Sequence, residues 1–469
     1  MTELTHQSST SIFKLFKQAL RGDVKDFTTG NIDRAIFLLA VPMVLEMLLE
    51  ATFALVDIYF VNKVSPGAAS IVGLTESSLT ILYSVAWGIA MGATALIARR
   101  AGEKDFKAAS AIAAQAILIA IVFSFVISII GILFPKEILL LMGADKAVAE
   151  EHYAFTQLMM GSNLVIMLLF VNNGIFRGAG DASIAMKALI IANVINIILD
   201  PLLIMGYGPF PKMGLMGAAI ATTVGRAIGV LFQCWHLFKG KDLIQLTIEK
   251  FRPRLNLIKN ILKTSSGTMI QFIIGSCSWI FLSIIIAESG VDSSAGYFTA
   301  IRICIFTILP AWGIANAAAT LVGQNLGAGH PDRAARSVWR SAFIALIFFA
   351  VVALVFFFFG KNLMQVFTSN RTAIEQGTLC LHILAIGYMF FAYGMVLTQA
   401  FNGAGDTKTP TYINLVVFWV IQIPLAYLLA KTAGLGPKGV YIAIGIAESI
   451  LACISIILFK KGKWKLVKV

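Results

Sequence analysis

Six segments of this chain run without a charged side chain for about 20 residues or more, the length that a helix needs to cross a bilayer. Six further segments of similar length carry one or a few ionisable residues. Hydrophobic residues make up 58% of the chain and charged residues 13%, which is typical of a polytopic membrane protein. The sequence therefore predicts an all-α integral membrane protein with twelve transmembrane helices. The uncharged segments are 108–134, 153–176, 264–287, 341–360, 376–405 and 409–430, and the others are 35–60, 68–98, 188–210, 214–238, 293–323 and 439–459.

Lys and Arg residues are divided unequally between the two sides of such a bundle. The terminal segments and alternate loops hold 27 of them, and the intervening loops hold eight. Because cytoplasmic loops are enriched in basic residues, we expect both termini of this multi-pass protein to be cytoplasmic, in a plasma (inner) membrane. The net charge of +13 is then a feature of membrane orientation, and no nucleic-acid partner is predicted.

The amino-terminal segment before the first span lacks the apolar core and cleavage site of a secretion signal, so we expect it to be retained. Within it, the stretch SIFKLFKQALR at 11–21 alternates Phe and Leu with Lys and Arg at helical spacing. This stretch either lies along the inner membrane surface or is a solvated tail, and the sequence leaves both alternatives open.

The second half of the chain repeats the first. The segment AWGIA at 86–90 returns at 311–315, and FRGAGD at 176–181 returns as FNGAGD at 401–406, with the same offset in residue number. Six spans per copy place the two copies the same way up in the membrane, as parallel repeats, so two six-helix lobes are predicted. The expected domains are a cytoplasmic tail over 1–34, the first lobe over 35–238, a linker over 239–263, the second lobe over 264–459 and a basic tail over 460–469.

The first span contains acidic residues where a bilayer makes them costly. Pro42, Glu46, Glu50 and Asp57 fall within about 80° of one another on a helix, so they form one polar stripe. A charge at the bilayer centre costs on the order of 3 kcal/mol, and such residues usually face a cavity and mark an ion or substrate path.

A second polar stripe occurs in the fifth span, where Asn193, Asn196 and Asp200 share a face about 60° wide. Pro201 is expected to kink this helix and to leave carbonyl groups free for a cation. Such oxygen ligands suit Na⁺, and the carboxylates also accept H⁺. If Asp57 faces Asp200, binding of a cation relieves their mutual repulsion. The alternative is that these groups are inert, hydrogen-bonded contacts between helices.

These features resemble the multidrug and toxic compound extrusion (MATE) family over almost the whole chain. The resemblance is carried by Pro42, by Asp57 followed by YFV, by LVGQNLGAGHPDRAA at 321–335, by the FRGAGD turn and by NIILDP at 196–201. It implies two lobes around a central cavity, alternating access, and export of amphipathic, often cationic organic compounds in exchange for H⁺ or Na⁺. We therefore expect a monomeric secondary antiporter in the lipid bilayer, which is not an enzyme and has no cofactor besides its coupling ion.

Within that family the chain looks most like the DinF-type branch, whose cation site lies in the first lobe. The resemblance places H⁺ or Na⁺ at Asp57, Asn196 and Asp200. Asn193, which shares the helix face of Asn196, is expected to help complete the shell. The resemblance also implies three further site residues, which are Asn173, Thr222 and Tyr153.

NorM-type members of the family differ, because they place essential acids in the seventh and tenth helices. The corresponding segments here, 264–287 and 376–405, are uncharged, and Glu448 is the only acid within the predicted spans of the second lobe. This departure argues against a cation site in the second lobe and leaves the identity of the coupling ion open.

Four other residues of the spans have expected roles. Pro42 is expected to let the first helix bend as the cation site fills. Glu46, Glu50 and Arg302 are expected to line the cavity, and Arg302 is a candidate partner of either glutamate across the two lobes. For both glutamates the alternative is a buried polar contact between helices.

Three other functions compete with antiport. A lipid-linked oligosaccharide flippase of related two-lobe fold is expected to line its cavity with several basic residues for phosphates, whereas the predicted spans hold only Arg226 and Arg302. A membrane-embedded transferase would need paired acidic clusters for Mg²⁺ in an inner loop, and the inner loops contain none. A passive channel is not distinguished by sequence. The five cysteines show no paired spacing, so neither a disulfide framework nor a metal cluster is predicted.

Overall fold

The computed structural model describes residues 12–23, 26–61, 66–239 and 243–467, although the side chains of 54–59, 66–70 and 81 lie outside that description. The described residues contain twelve helical segments that are long and apolar enough to cross a membrane. The prediction of an all-α protein with twelve spans is therefore confirmed.

The helices follow one another as antiparallel membrane crossings joined by short loops. We call the end that carries residues 103–105 and 328–330 the basic end, because most Lys and Arg residues outside the spans lie there. The helices are α1 (Ile12–Arg21), α2 (Ile32–Val61), α3 (Pro66–Gly102), α4 (Phe106–Leu133), α5 (Pro135–Leu141), α6 (Lys146–Gly161), α7 (Asn163–Ala179), α8 (Ala182–Met205), α9 (Leu215–Lys239), α10 (Leu255–Ala287), α11 (Val291–Gly327), α12 (Pro331–Phe367), α13 (Arg371–Gly403), α14 (Lys408–Asn414), α15 (Ile423–Tyr427) and α16 (Pro437–Lys460).

Two of the twelve spans are built from more than one helix. The fourth span consists of α6 and α7, which are separated at Ser162. The eleventh span runs from α14 through a π-helical stretch, Leu415–Gln422, into α15 and then into a second π-helical stretch, Leu428–Thr432. Pro424 lies at the start of α15, where the missing N–H of a proline favours such a change in hydrogen-bond pattern.

The two lobes meet at the basic end through a pair of contacts that the internal repeat relates to each other. A Cβ atom on Gly102 of α3 would overlap the carbonyl oxygen of Gln324 in α11. In the same way, a Cβ atom on Gly327 of α11 would overlap the carbonyl oxygen of Arg99 in α3. The offset of the internal repeat converts one contact into the other. Glycine at both positions therefore lets the backbones of α3 and α11 touch, and this contact closes the basic end.

Both terminal segments of the chain also connect the lobes at the basic end. Between α1 and α2, the backbone carbonyl groups of Phe27, Thr29 and Gly30 accept hydrogen bonds from the Arg333 guanidinium of α12, at 2.7–3.3 Å. At the other terminus, the Val467 carbonyl accepts a hydrogen bond from the guanidinium of Arg99 in α3. Each lobe therefore holds a terminal segment that belongs to the other.

We expect Gly102→Ala and Gly327→Ala each to lower the stability of this conformation by about 1–3 kcal/mol, the usual cost of inserting a methyl group into a filled contact. The measurement is thermal or denaturant unfolding of the purified protein in detergent. Gly275→Ala is the matched control, because a Cβ atom at this α10 position meets no other atom within 4 Å. Equal stability of the three variants would contradict the close-contact explanation.

Candidate functional site

Asp200 of α8 is fully buried within a membrane span and is the first of the predicted site residues. Asn196, also fully buried, lies one turn earlier and donates a hydrogen bond from Nδ2 to Asp200 Oδ1 at 3.3 Å. Asn193 shares the buried face, but its Nδ2 donates to the Leu189 carbonyl of its own helix at 2.8 Å. The second polar stripe is therefore buried in protein and does not face lipid.

Pro201 does not end the helix of the fifth span, and the kink expected there stays a prediction. α8 continues as one helix from Ala182 to Met205 with Pro201 inside it. Proline removes one backbone donor, so the carbonyl of Ile197 loses its helical partner, but a single missing bond does not end a helix whose neighbours pack against it.

Asp57 lies in α2, and its side chain is outside the described residues. α2 packs against α8, the helix that carries Asp200. The approach of Asp57 to Asp200 therefore stays a prediction, as does the joint site of Asp57, Asn196 and Asp200.

The three residues added by the family resemblance lie on three different helices. Thr222 of α9 is 5% exposed and precedes Gly225 by three positions, where a Cβ atom would lie 3.4 Å from Asn196 Cβ. Helical spacing thus puts Thr222 on the side of α9 that approaches Asn196. Asn173 of α7 accepts a hydrogen bond from Gln233 Nε2 of α9 at 2.5 Å. The described contact of Tyr153 in α6 is with the Lys136 ammonium, 4.6 Å from its ring centroid.

Glu46 is fully buried and forms an ion pair that the sequence did not predict. Its Oε1 lies 3.4 Å from Nη1 of Arg177 in α7, and both side chains are 1% exposed. The Arg177 guanidinium also lies over the Trp87 ring of α3, 5.6 Å from the centroid. The sequence pattern places Arg177 in an inner loop, but it is buried in the last turn of α7.

Glu50 forms a second ion pair one turn further along α2. Its Oε1 lies 3.2 Å from Nη2 of Arg226 in α9. The guanidinium of Arg226 is 4.6 Å from the centroid of the Phe53 ring, so the aromatic ring covers one planar face of the cation. The two glutamates of the first span therefore attach α2 to two different helices of its own lobe.

The suggested pairing of either glutamate with Arg302 across the lobes is wrong. Glu46 is paired with Arg177 and Glu50 with Arg226, whereas Arg302 is an exposed residue of α11. A cavity-lining role for Glu46 does not fit this conformation either, because its side chain is buried between helices. Sequence separation does not reveal which of several intramembrane cations approaches a given acid.

The internal repeat contains a signal that would have identified the Glu46–Arg177 pair. At the offset of the repeat, Glu46 corresponds to Gln271 and Arg177 to Asn402. In the second lobe these two amides are bonded to each other: Gln271 Nε2 donates to Asn402 Oδ1 and Asn402 Nδ2 donates to Gln271 Oε1, both at 3.1 Å. The same contact is thus charged in the first lobe and neutral in the second, and both members change together.

An aromatic cluster lies between the lobes near the middle of the spans. The rings of Trp87 (α3), Phe272 (α10) and Trp312 (α11) lie with centroids 5.6–5.8 Å apart, and Phe170 of α7 contacts Trp87 at 5.2 Å. Trp87, Phe272 and Trp312 are half-buried. The cluster therefore joins both lobes and adjoins the Glu46–Arg177 pair through Trp87.

The profile of the MatE family matches this chain twice, over residues 42–202 and over 268–428, with one match in each half. The chain belongs to the MatE family. It is 27% identical, over 97% of both chains, to a probable multidrug resistance protein, NorM, of Thermotoga maritima. It is 22% identical to the multidrug export protein MepA of Staphylococcus aureus, over 91% of this chain and 93% of that protein. A crystal structure of MATE in the straight conformation is 25% identical and superposes with a TM-score of 0.87, over 96% of this chain and 99% of that one.

These similarities confirm three of the predictions made from the sequence. The protein is a MATE transporter in fold, it is a multi-pass membrane protein of the multidrug efflux type, and it is not an enzyme. The expected likeness to the DinF-type branch stays a prediction.

We expect Arg177→Met to lower the free energy of unfolding of this MATE protein by about 3–5 kcal/mol, because it leaves the Glu46 carboxylate buried without a counter-charge. Adding Glu46→Gln should restore at least half of that loss, since a neutral amide removes the unpaired buried charge. Unfolding in detergent gives both values. Equal instability of the single and double variants would show that lost packing, and not the unpaired charge, is responsible.

Proposed function

We propose that this MATE transporter is a secondary antiporter that exports amphipathic, often cationic organic compounds in exchange for H⁺ or Na⁺. The coupling cation would bind at Asp57, Asn196 and Asp200 in the first lobe, with Asn193, Asn173 and Thr222 nearby. One observation carries this assignment: Asp200 is fully buried in a membrane span with an amide, Asn196, already bonded to it. Burying a carboxylate in a membrane span costs free energy, and such residues usually mark the path of an ion or a substrate.

The conformation supports alternating access between two lobes. The backbone contacts that Gly102 and Gly327 allow between α3 and α11 close the basic end. The described contacts between the lobes extend from there to Trp87 and Trp312 near mid-span. If the basic end is cytoplasmic, as the distribution of Lys and Arg favours, this state is closed to the cytoplasm. Transport would then require the α3–α11 contact to separate.

Movement of α2 would link the cation site to the lobes. Pro42 lies one turn before Glu46, and the part of α2 beyond it carries Glu46, Glu50 and Asp57. A bend at Pro42 would move all three acids together, and would stretch the ion pairs to Arg177 and Arg226. Cation binding at Asp57 would thereby change the geometry of both ion pairs.

The aromatic cluster of Trp87, Phe272 and Trp312 suits an amphipathic cargo. Its half-buried rings lie between the lobes, where they offer apolar aromatic faces and edges. Stacking on aromatic faces is tolerant of ligand shape, and cations are attracted to such faces.

The flippase alternative is weakened by the pairing of the intramembrane arginines. A phosphate-binding cavity needs basic side chains whose charge is available, but Arg177 is paired with Glu46 and Arg226 with Glu50. Arg302 alone does not provide the several cations that such a cavity needs.

The coupling hypothesis is tested by efflux of a cationic dye from proteoliposomes under separately imposed H⁺ and Na⁺ gradients. We expect Asp57→Asn and Asp200→Asn each to reduce gradient-driven efflux by at least about tenfold, because a neutral amide cannot exchange a proton and binds Na⁺ weakly. The gradient that drives efflux by the native protein identifies the coupling ion.

The matched control for these variants is Glu448→Gln in α16, which removes the one acid within the predicted spans of the second lobe and should leave efflux unchanged. Native efflux rates in both Asp57→Asn and Asp200→Asn would exclude the proposed cation site. Loss of efflux in Glu448→Gln as well would indicate that the site is not confined to the first lobe.

Cargo binding at the aromatic cluster is tested by Trp87→Ala. We expect the dye concentration at half-maximal efflux to rise by about 2- to 12-fold. This corresponds to the loss of one aromatic contact that contributes roughly 0.5–1.5 kcal/mol to binding. Trp419→Ala is the control, because Trp419 contacts Phe281 and is 39% exposed. A pure loss of maximal rate, without a change in that concentration, would contradict a binding role.

A further inference from the structure

α1 has an apolar face that nothing in the described part of the protein covers. Ile12 is 74% exposed, Phe13 76% and Phe16 40%. At about 100° per residue these three lie within about 100° of one another, and Lys14, Lys17 and Arg21 occupy the adjoining sector, about 60° wide. This arrangement of bulky apolar residues beside a basic edge is typical of helices that lie in the surface of a membrane.

The side of α1 that carries Gln18 and Ala19 is attached to the ends of two membrane spans. Ala19 is buried, and the carbonyl of Arg21 accepts hydrogen bonds from Ser183 Oγ at 3.3 Å and from Lys187 Nζ at 3.4 Å, both in the first turns of α8. Gln18 Oε1 accepts a hydrogen bond from Arg34 at the start of α2, at 3.2 Å. Since α2 and α8 begin at the basic end, α1 is held at the level where the spans emerge from the bilayer.

The exposed surface next to α1 is itself one that a bilayer covers. Beyond Lys187, α8 exposes Ile190, Val194 and Ile197 at 41–50% along a membrane span. These side chains require lipid around them, so the bilayer that surrounds α8 reaches the level of α1. The apolar face of α1 therefore lies at the level of an apolar surface whose occupant is known from the fold.

We propose that α1 binds the surface of a membrane leaflet that contains acidic phospholipids. Ile12, Phe13 and Phe16 would enter the boundary between head groups and acyl chains, while Lys14, Lys17 and Arg21 would pair with the head groups. The occupant is a lipid surface and not a protein groove, because the basic edge of α1 is extended by Arg34 and Lys187 alongside the span ends. Each basic residue near an acidic leaflet strengthens such binding by about fivefold.

Lipid binding by α1 would also act on the basic end, because α1 continues into the segment that bridges the lobes. Asp26 follows α1, and its Oδ2 lies 3.9 Å from Lys104 Nζ, which follows α3 of the first lobe. The side-chain hydrogen bond from Thr28 lowers the pKa of Asp26, so this carboxylate stays charged. The next residues, Phe27, Thr29 and Gly30, are held by Arg333 of the second lobe. An α1 fixed on the membrane would thus favour the state in which the basic end is closed.

The lipid interaction is tested on the full-length protein by hydrogen–deuterium exchange of residues 12–21 in nanodiscs. We expect exchange in discs with about 30% phosphatidylglycerol to be at least about tenfold slower than in phosphatidylcholine alone. Lys14→Gln combined with Lys17→Gln should remove most of this difference. Lys259→Gln combined with Lys263→Gln, on exposed positions of α10, is the charge-matched control and should leave it intact.

Three results would overturn the lipid proposal. One is equal exchange in both kinds of disc, and another is equal protection in detergent, where packing on α8 alone would be responsible. The third is protection by soluble inorganic phosphate in phosphatidylcholine discs, which would identify a free anion as the ligand.

The effect on conformation rests on the alternating-access mechanism proposed above, whereas lipid binding does not. It is tested by the distance between spin labels at the basic ends of α4 and α12. Phosphatidylglycerol should raise the closed fraction severalfold in the native chain, but not in Arg333→Gln, which releases the bridging segment. If α1 is protected while the closed fraction is the same in both lipids, α1 is a membrane anchor only and the conformational part of the proposal is wrong.

Discussion

A charged side chain inside the hydrocarbon core of a bilayer must be paired, and the packing of helices in the first lobe follows from that requirement. The first span carries two glutamates that a bilayer would not accept alone. Each glutamate forms an ion pair with a different helix: Glu46 is paired with Arg177 of α7 and Glu50 with Arg226 of α9. Removing one partner of a buried pair is far more costly than replacing both, so these pairs determine which helices surround α2 even though their net contribution to stability is small.

The same pairs limit how α2 can move. α2 is bonded to its own lobe at two adjacent turns, yet it also packs against α11 of the other lobe. Pro42 precedes both bonded turns, so a bend there separates a part of α2 that is tied to α7 and α9 from a part that enters the basic end. The buried carboxylates are thus both structural contacts and the groups through which charge entering the first lobe acts on the helix.

Most of the fold was accessible from the sequence, because span length and hydropathy are local properties. The twelve spans were all predicted, and the internal repeat indicated the two lobes. The partners of Glu46 and Glu50 were not predicted, because pairing depends on which helices become neighbours. Arg177 was misassigned for a related reason: a charged residue within the glycine-rich FRGAGD segment is interpreted as a loop residue until its counter-charge is known.

The continuity of α8 at Pro201 and the break in the fourth span both depend on tertiary contacts. A proline in an isolated helix favours a kink or an end, but α8 packs against α2 and α9 and continues as one helix around Pro201. Conversely, the break at Ser162 has no proline or glycine run to announce it. Asn163, which follows, is fully buried and accepts a hydrogen bond from Ser124 at 2.6 Å, so tertiary polar contacts define this break.

The glycine contacts at the basic end have a consequence for the origin of the molecule. Gly102 meets Gln324 and Gly327 meets Arg99, which are the same residue positions exchanged between the copies. An exchange of this kind is the signature of an isologous interface, in which one patch binds itself around a twofold axis. A half-length ancestor with this glycine would have formed a homodimer through both contacts at once. Fusion of two such subunits into one chain leaves the copies free to differ, as they do at Glu46 and Arg177 of the first copy and at Gln271 and Asn402 of the second.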